Sequence, residues 1–297
     1  MENVITLIGP PGNAEALQVE RILTAIKDAG GKPGDPVWLD PDHVVDIPFT
    51  GIVTARGESI ARALVKAGPV DVIAQSAEDR RKAVLVADMD ATMIQGETLD
   101  ELAALAGIGE KVSAITARAM NGEIDFAAAL RERVGLLAGQ PANLLEKVVP
   151  KMKLTSGAKT LVHTMKANGA RTILVSGGFK FFTTIVAGAC GFDEAKANDL
   201  EIAADGTLTG RVVEPIRGRV AKREALMSAA TRRRVPLDKT LAIGDGANDL
   251  EMLLTAGLGI AFHAKPTVAA QAKHRIDHGD LTAILYAQGY KREEFVG

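Results

Sequence analysis

The sequence predicts an α/β protein built mainly on a doubly wound parallel sheet, preceded by a smaller βαββαβ unit. Three observations carry the prediction. Ala83–Ala87, Thr172–Val175 and Thr240–Ile243 are short, continuously apolar or β-branched runs, as expected of parallel strands covered on both faces. Helical segments separate them, Ser156–Asn168 before the second run and Lys222–Arg232 before the third. Each run stops in a polar cluster, and ligands of open parallel sheets bind beyond the carboxyl ends of the strands. Leu258–Phe262 is a candidate fourth strand.

The remaining elements follow in chain order. A chain of 297 residues suggests about two domains at roughly 150 residues each. Residues 1–78 read as the first. Val4–Ile8 is a strand, and Ala14–Asp28 has helical apolar spacing that stops at Gly30-Gly31. Val37–Leu39 and Val44–Phe49 are strands around the turn Asp40-Pro41-Asp42, Glu58–Lys66 is a helix and Val70–Ala74 a strand. That order is the one of a ferredoxin-like unit. The polar stretch Gln75–Lys82 reads as a linker, with the boundary at residues 79–82. The second domain spans residues 83–297. Between its first two core strands lie the helical segments Thr98–Ala106, Glu110–Met120, Phe126–Ala138 and Ala142–Val149. They are too long for a simple crossover and read as an inserted helical cap over approximately residues 97–152. Thr98 followed by Glu101 is a capping-box pattern. Asn198–Val213 alternates around Asp205-Gly206 and reads as a β-hairpin.

Composition narrows the function. Hydrophobic residues at 47% and charged residues at 24% describe an ordinary globular chain. The net charge of −2 supplies no whole-molecule field for nucleic acid or a membrane, so an anionic ligand must be held by local groups. Aromatic residues at 4% are too few for a base-stacking surface. No apolar run approaches a membrane span, and MENVITLIGPPGN lacks the basic start of a secretory signal. One cysteine, Cys190, makes no internal disulfide. The expectation is a cytoplasmic protein with a small-molecule substrate and neither a nucleic-acid nor a membrane partner.

The polar clusters carry the chemistry. The first core strand runs into Asp88-Met89-Asp90-Ala91-Thr92, the second into Ser176-Gly177-Gly178, and the third into Gly244-Asp245-Gly246-Ala247-Asn248-Asp249. Carboxylates that converge repel one another unless a cation sits among them. Hard oxygen donors without a nearby cysteine favour Mg²⁺ over Zn²⁺. Glycines let backbone N–H groups approach an anion closely. Carboxylates, Mg²⁺, a hydroxyl, glycine amides and a lysine are together the components of phosphoryl transfer.

DMDAT, SGGF, a lysine at Lys222 and GDGAND resemble, in order, the motifs of the haloacid dehalogenase (HAD) superfamily phosphatases. Within that superfamily the motifs and intervening helices are similar to the phosphoserine phosphatases over roughly residues 84–280. The resemblance implies a Rossmann-like core with an inserted C1-type helical cap. It implies Mg²⁺-dependent hydrolysis of O-phospho-L-serine to serine and phosphate, the last step of serine synthesis. In that reading Asp88 is the nucleophile and Asp90 the general acid and base. Asp88, the Asp90 backbone carbonyl and Asp245 hold Mg²⁺, with Asp249 supporting them. Ser176, Gly177 and Lys222 hold phosphate oxygens, and Asn248 contacts the phosphate or the nucleophile. From the cap, Glu97 takes the substrate ammonium, Arg133 its carboxylate, and Met120 and Phe126 close over it. Two departures stand out: Ala91 replaces a serine common in the first motif, and Arg219 and Arg223 flank Lys222 as alternatives. The N-terminal unit resembles an ACT-type regulatory domain in element order only, without an evident glycine-rich amino-acid-binding signature. Serine sensing and homodimerisation are alternative roles for it.

Rival readings are a phosphatase or phosphotransferase for another small phosphomonoester, and a regulatory protein with an inactive phosphatase fold. Other signals fail on chemistry. Gly9-Pro10-Pro11-Gly12 follows a strand but lacks the lysine and hydroxyl of a P-loop. His274 and His278 lack a third ligand, and Cys190 lacks a nearby histidine.

Overall fold

The computed structural model describes residues 2–66, 68–120 and 123–297, without the side chain of Met120. The N-terminal unit contains β1 (Asn3–Ile8), α1 (Val19–Asp28), β2 (Lys32–Pro33), β3 (Val37–Asp40), β4 (Val44–Thr50), α2 (Thr54–Val65) and β5 (Asp71–Ser76). Its sheet has the order β2-β4-β1-β5, with β3 also on β4, and all its pairings are antiparallel. The first strand is therefore central, as a ferredoxin-like unit requires. Alternation along β1 explains how both faces are covered. Ile5 and Leu7 pack with Ile22 and Ile26 of α1 and Ala61 and Val65 of α2. Ile8 points the other way, into the core of the second unit, together with Val44 and Ile73.

The expected helix over 14–28 is two pieces. A tight turn at Ala14–Leu17 is capped by the Asn13 side chain, and Gln18, with φ of 52°, separates it from α1. Apolar spacing continues across this break, so periodicity alone does not reveal it.

The C-terminal unit is built on a seven-stranded sheet. Its strands are β6 (Val84–Ala87), β9 (Arg171–Phe179), β10 (Glu194–Ile202), β11 (Leu208–Val213), β12 (Thr240–Gly244), β13 (Leu258–Phe262) and β14 (His274–Ile276). A separate pair, β7 (Ile94–Gln95) and β8 (Lys153–Leu154), closes the base of the insertion. The sheet order is β11-β10-β9-β6-β12-β13-β14, and only β11 runs antiparallel to its neighbour. Alternate residues face opposite layers. Leu85, Leu174 and Ile243 pack toward α7 (Ala158–Ala167) and α8 (Lys180–Cys190). Val84, Val86 and Ile173 pack toward α9 (Arg219–Arg233) and α10 (Leu250–Thr255). Full burial on both faces explains why these strands read as unbroken apolar runs. The insertion between β6 and β9 holds α3 (Thr98–Leu105), α4 (Gly109–Met120), α5 (Phe126–Gly135) and α6 (Leu144–Val148).

The polar stretch 75–82 is pinned, unlike a free linker. Arg80 bonds Asp46, Thr6 and the carbonyls of Tyr286 and Ala287, and the Gln75 side chain donates to Ala287 O. Asp71, only 2% exposed, accepts backbone N–H bonds from Asp277, His278 and Gly279. No helix among the described residues is long and apolar enough to cross a membrane.

Candidate active site

Sheet order decides what meets at the carboxyl edge. β6 lies between β9 and β12, so the three polar clusters stand on adjacent strands. The Asp88 N–H donates to Ile243 O at 3.0 Å, which extends the β6–β12 ladder to the first aspartate. The chain then turns sharply. Ala91 has φ of 53°, in the left-handed region that disfavours a side chain, and its N–H closes a loop on Gly96 O at 2.9 Å. β9 is longer than its apolar run: it continues through Ser176-Gly177-Gly178 to Phe179, where it pairs with Asn198 of β10.

Of the three candidate cations, Lys222 is the one that reaches the carboxylates. It is 1% exposed on the inner face of α9, with Nζ 2.7 Å from Asp88 Oδ1 and 2.6 Å from Asp249 Oδ1. Arg219 and Arg223, four apart on the outer face, both reach Glu251 instead. Burial alone would lower the Lys222 ammonium, but Asp249 and Asp88 outweigh it and hold it above its ordinary value. The other oxygen of Asp249 accepts the Gly246 N–H at 3.0 Å, so both its oxygens are occupied. Gly244 is needed for this packing: a Cβ there would stand 2.3 Å from Asp249 Cγ.

Four carboxylates, those of Asp88, Asp90, Asp245 and Asp249, thus face a single buried ammonium. Lys265 Nζ, on an exposed side chain, is 3.8 Å from Asp245. Burial and then Asp249 push Asp88 well above the ordinary carboxylate range, and Lys222 offsets only part of this. Burial, followed by Asp249, also raises Asp245. Carboxylate oxygens of Asp88, Asp245 and Asp249 lie within 4.8 Å of one another. Asp249 is already bonded, whereas Asp88 and Asp245 have oxygen to offer. Crowded hard oxygens with unbalanced charge fit a divalent cation such as Mg²⁺.

Asp90 is 8% exposed. Its Oδ1 accepts the Thr98 N–H and the Thr98 hydroxyl, each at 2.8 Å, and its Oδ2 lies 3.1 Å from Ser176 Oγ. Burial raises its carboxyl against the pull of these bonds. The expected capping box therefore does not form. Glu97 is the N-cap of α3 without a side-chain bond to the helix, and Thr98 turns to Asp90. Ser176 Oγ also accepts the Gly178 N–H at 2.8 Å.

The cap closes over this edge. The Phe126 ring sits on Gly177 and Gly218, where a Cβ would stand 2.9 Å from the ring in each case. Asn248 turns its amide toward Gly246 and Gly177. Glu97 lies exposed at the mouth, and crowding by protein, then Asp90 and Asp245, pushes its carboxyl up to about 7. Arg133 is half-buried, donates to Ala129 O at 3.2 Å, and feels Asp100 and Glu97 as its opposing charges. The Met120 side chain lies outside the described residues. Sequence reasoning missed Asn198, 2% exposed, whose amide ties Gly177 O to the 217 backbone. Its only signal was its place in an edge hairpin.

Residues 85–254 match the model of the haloacid dehalogenase-like hydrolases. The chain belongs to this family. It is 40% identical to a phosphoserine phosphatase of Streptomyces coelicolor over 98% of this chain and 72% of that protein. A HAD family hydrolase of Salmonella enterica superposes with a TM-score of 0.85 at 29% identity, covering 99% of both chains. A phosphoserine phosphatase solved as a phospho-aspartyl intermediate analogue superposes with a TM-score of 0.64 at 40% identity, covering 69% of this chain and 98% of that one.

Proposed function

We propose that the chain is a Mg²⁺-dependent phosphoserine phosphatase that works through an aspartyl-phosphate on Asp88. The convergence of Asp88, Ser176 and Asp245 on three adjacent strand ends, with Lys222 beneath them, carries this reading. The relatives' activities and the phospho-aspartyl analogue support it.

Phosphate is held by the Ser176 hydroxyl, the Gly177 amide, Lys222 and Asn248. Lys222 supplies a buried positive charge without requiring a basic protein. Asp88, the Asp90 carbonyl and Asp245 would hold Mg²⁺, with Asp249 fixing Lys222. Bound there, the ion neutralises charge on the phosphate and the nucleophile. Asp88 attacks phosphorus while Asp90 gives its proton to the departing serine oxygen, and Asp90 then takes a proton from the water that hydrolyses the phosphoenzyme. The raised Asp90 carboxyl suits the first of these steps. Glu97 and Arg133 read the substrate's ammonium and carboxylate, while Phe126 and Met120 exclude water. A cytoplasmic location and a homodimer belong to the same reading, with the N-terminal unit as a serine sensor or dimerisation surface.

The test is phosphate release from phosphoserine, phosphothreonine and sugar phosphates, with and without Mg²⁺. Fastest turnover of phosphoserine, dependent on the ion, is expected. Equal rates on phosphoserine and sugar phosphates would remove the reason for naming serine.

A further inference from the structure

Thr98 is buried, at 2% exposure, and begins the first cap helix. Both of its donors, N–H and O–H, point to one oxygen of Asp90, each at 2.8 Å. A carboxyl oxygen has two lone pairs in its plane, and two fixed donors occupy both. Oδ1 then carries a proton only if one of these bonds breaks. Oδ2 meets a different partner: Ser176 Oγ, whose oxygen is anchored by the Gly178 N–H and whose hydroxyl hydrogen can turn so that the group donates or accepts.

We propose that Thr98 is the positioning residue for Asp90: it fixes the plane of the carboxyl and assigns the transferable proton to Oδ2. The inference rests on the acid–base reading of Asp90 given above. In the first step the bond from Asp88 oxygen to phosphorus forms and the bond from phosphorus to the serine oxygen breaks. The Oδ2 proton passes to that oxygen. In the second step water oxygen bonds phosphorus, the Asp88–phosphorus bond breaks, and a water proton returns to Oδ2. Thr98 directly follows Glu97, the proposed reader of the substrate ammonium. Placement of the cap's first turn thereby places the proton donor as well.

The experiment measures first-turnover rates by rapid quench with O-phospho-L-serine and p-nitrophenyl phosphate. The serine oxygen needs a proton to leave, whereas nitrophenolate leaves without one. Thr98→Val is expected to slow serine release by about tenfold or more, since general acid catalysis contributes about 10²–10⁴-fold in all. It should leave the nitrophenolate burst nearly unchanged, and Thr98→Ser should restore serine release. Equal losses on both substrates, no loss on either, or no rescue by Thr98→Ser would overturn the proposal. Thr98→Ala carries the same comparison if the valine variant does not fold. Asp90→Asn separates the two levels. If it leaves serine release unchanged, the acid–base reading fails and the proposal with it. If it slows release while Thr98→Val does not, the positioning role alone fails.

Discussion

The seam between the two units and the edge of the parallel sheet both bury aspartates, and they treat them in opposite ways. At the seam, Asp71 is filled by backbone N–H groups of residues 277–279, and Asp46 by Arg80 and Thr6. At the sheet edge, four carboxylates lie around one buried ammonium that bonds Asp88 and Asp249, and Asp88 and Asp245 retain unbonded oxygen. Protein donors that complete an aspartate's oxygens hold it in place, as at Asp71 and Asp46. Oxygens left unbonded, as at Asp88 and Asp245, stand open to a ligand.

Substitutions sharpen that contrast. Asp88→Asn should abolish turnover, by about 10³-fold or more, because the proposed nucleophile is lost, while thermal unfolding stays near wild type. An unfolded variant, or one that keeps its activity, would blur the distinction. Removing divalent ions with a chelator should reduce phosphate release to background, and Mg²⁺ should restore it and raise the melting temperature, since a ligand at a hundredfold its Kd adds about 2.7 kcal/mol. A melting temperature indifferent to Mg²⁺ would remove the cation from the sheet edge. Arg133→Ala should raise KM for phosphoserine about tenfold or more and leave KM for a substrate without a carboxylate nearly unchanged.

Asp71→Ala tests the other region. It strips three backbone N–H groups of their acceptor and should cost about 3 kcal/mol in denaturant unfolding, with kcat within about twofold. A large loss of kcat in a folded Asp71→Ala protein would break the comparison. The smallest effect concerns Glu97. Only its ionised form attracts an ammonium, and crowding by protein, then Asp90 and Asp245, pushes its carboxyl up to about 7. KM for phosphoserine should therefore rise severalfold as pH falls from 8 to 6, less than the full tenfold per unit because solvent at the mouth screens the charge. Glu97→Gln should flatten this dependence.

Much of this contrast was legible in the sequence, and the remainder was not for physical reasons. The parallel strands declared themselves because burial on both faces forbids polar residues until the edge, where Asp88, Ser176 and Asp245 end the runs. Lys222 separates from Arg219 and Arg223 only once the inner face of α9 is known, because all three satisfy a sequence pattern. Thr98 carried a helix-start signal that its hydroxyl does not obey, because a buried carboxylate competes better for that donor than the helix end does. Arg80 and Asp71 were invisible as anchors between the two units, since the carbonyls that Arg80 reaches there and the N–H groups on Asp71 lie more than 200 residues away in sequence.

The central claim is that Asp88, with its incompletely bonded carboxylate, receives the phosphoryl group. Quenching the protein in acid during turnover of ³²P-labelled phosphoserine, then mapping the labelled peptide, tests it directly. The label is expected on the peptide containing Asp88 and absent from Asp88→Asn. Label on another residue, or steady turnover with no covalent label at any quench time, would contradict the account.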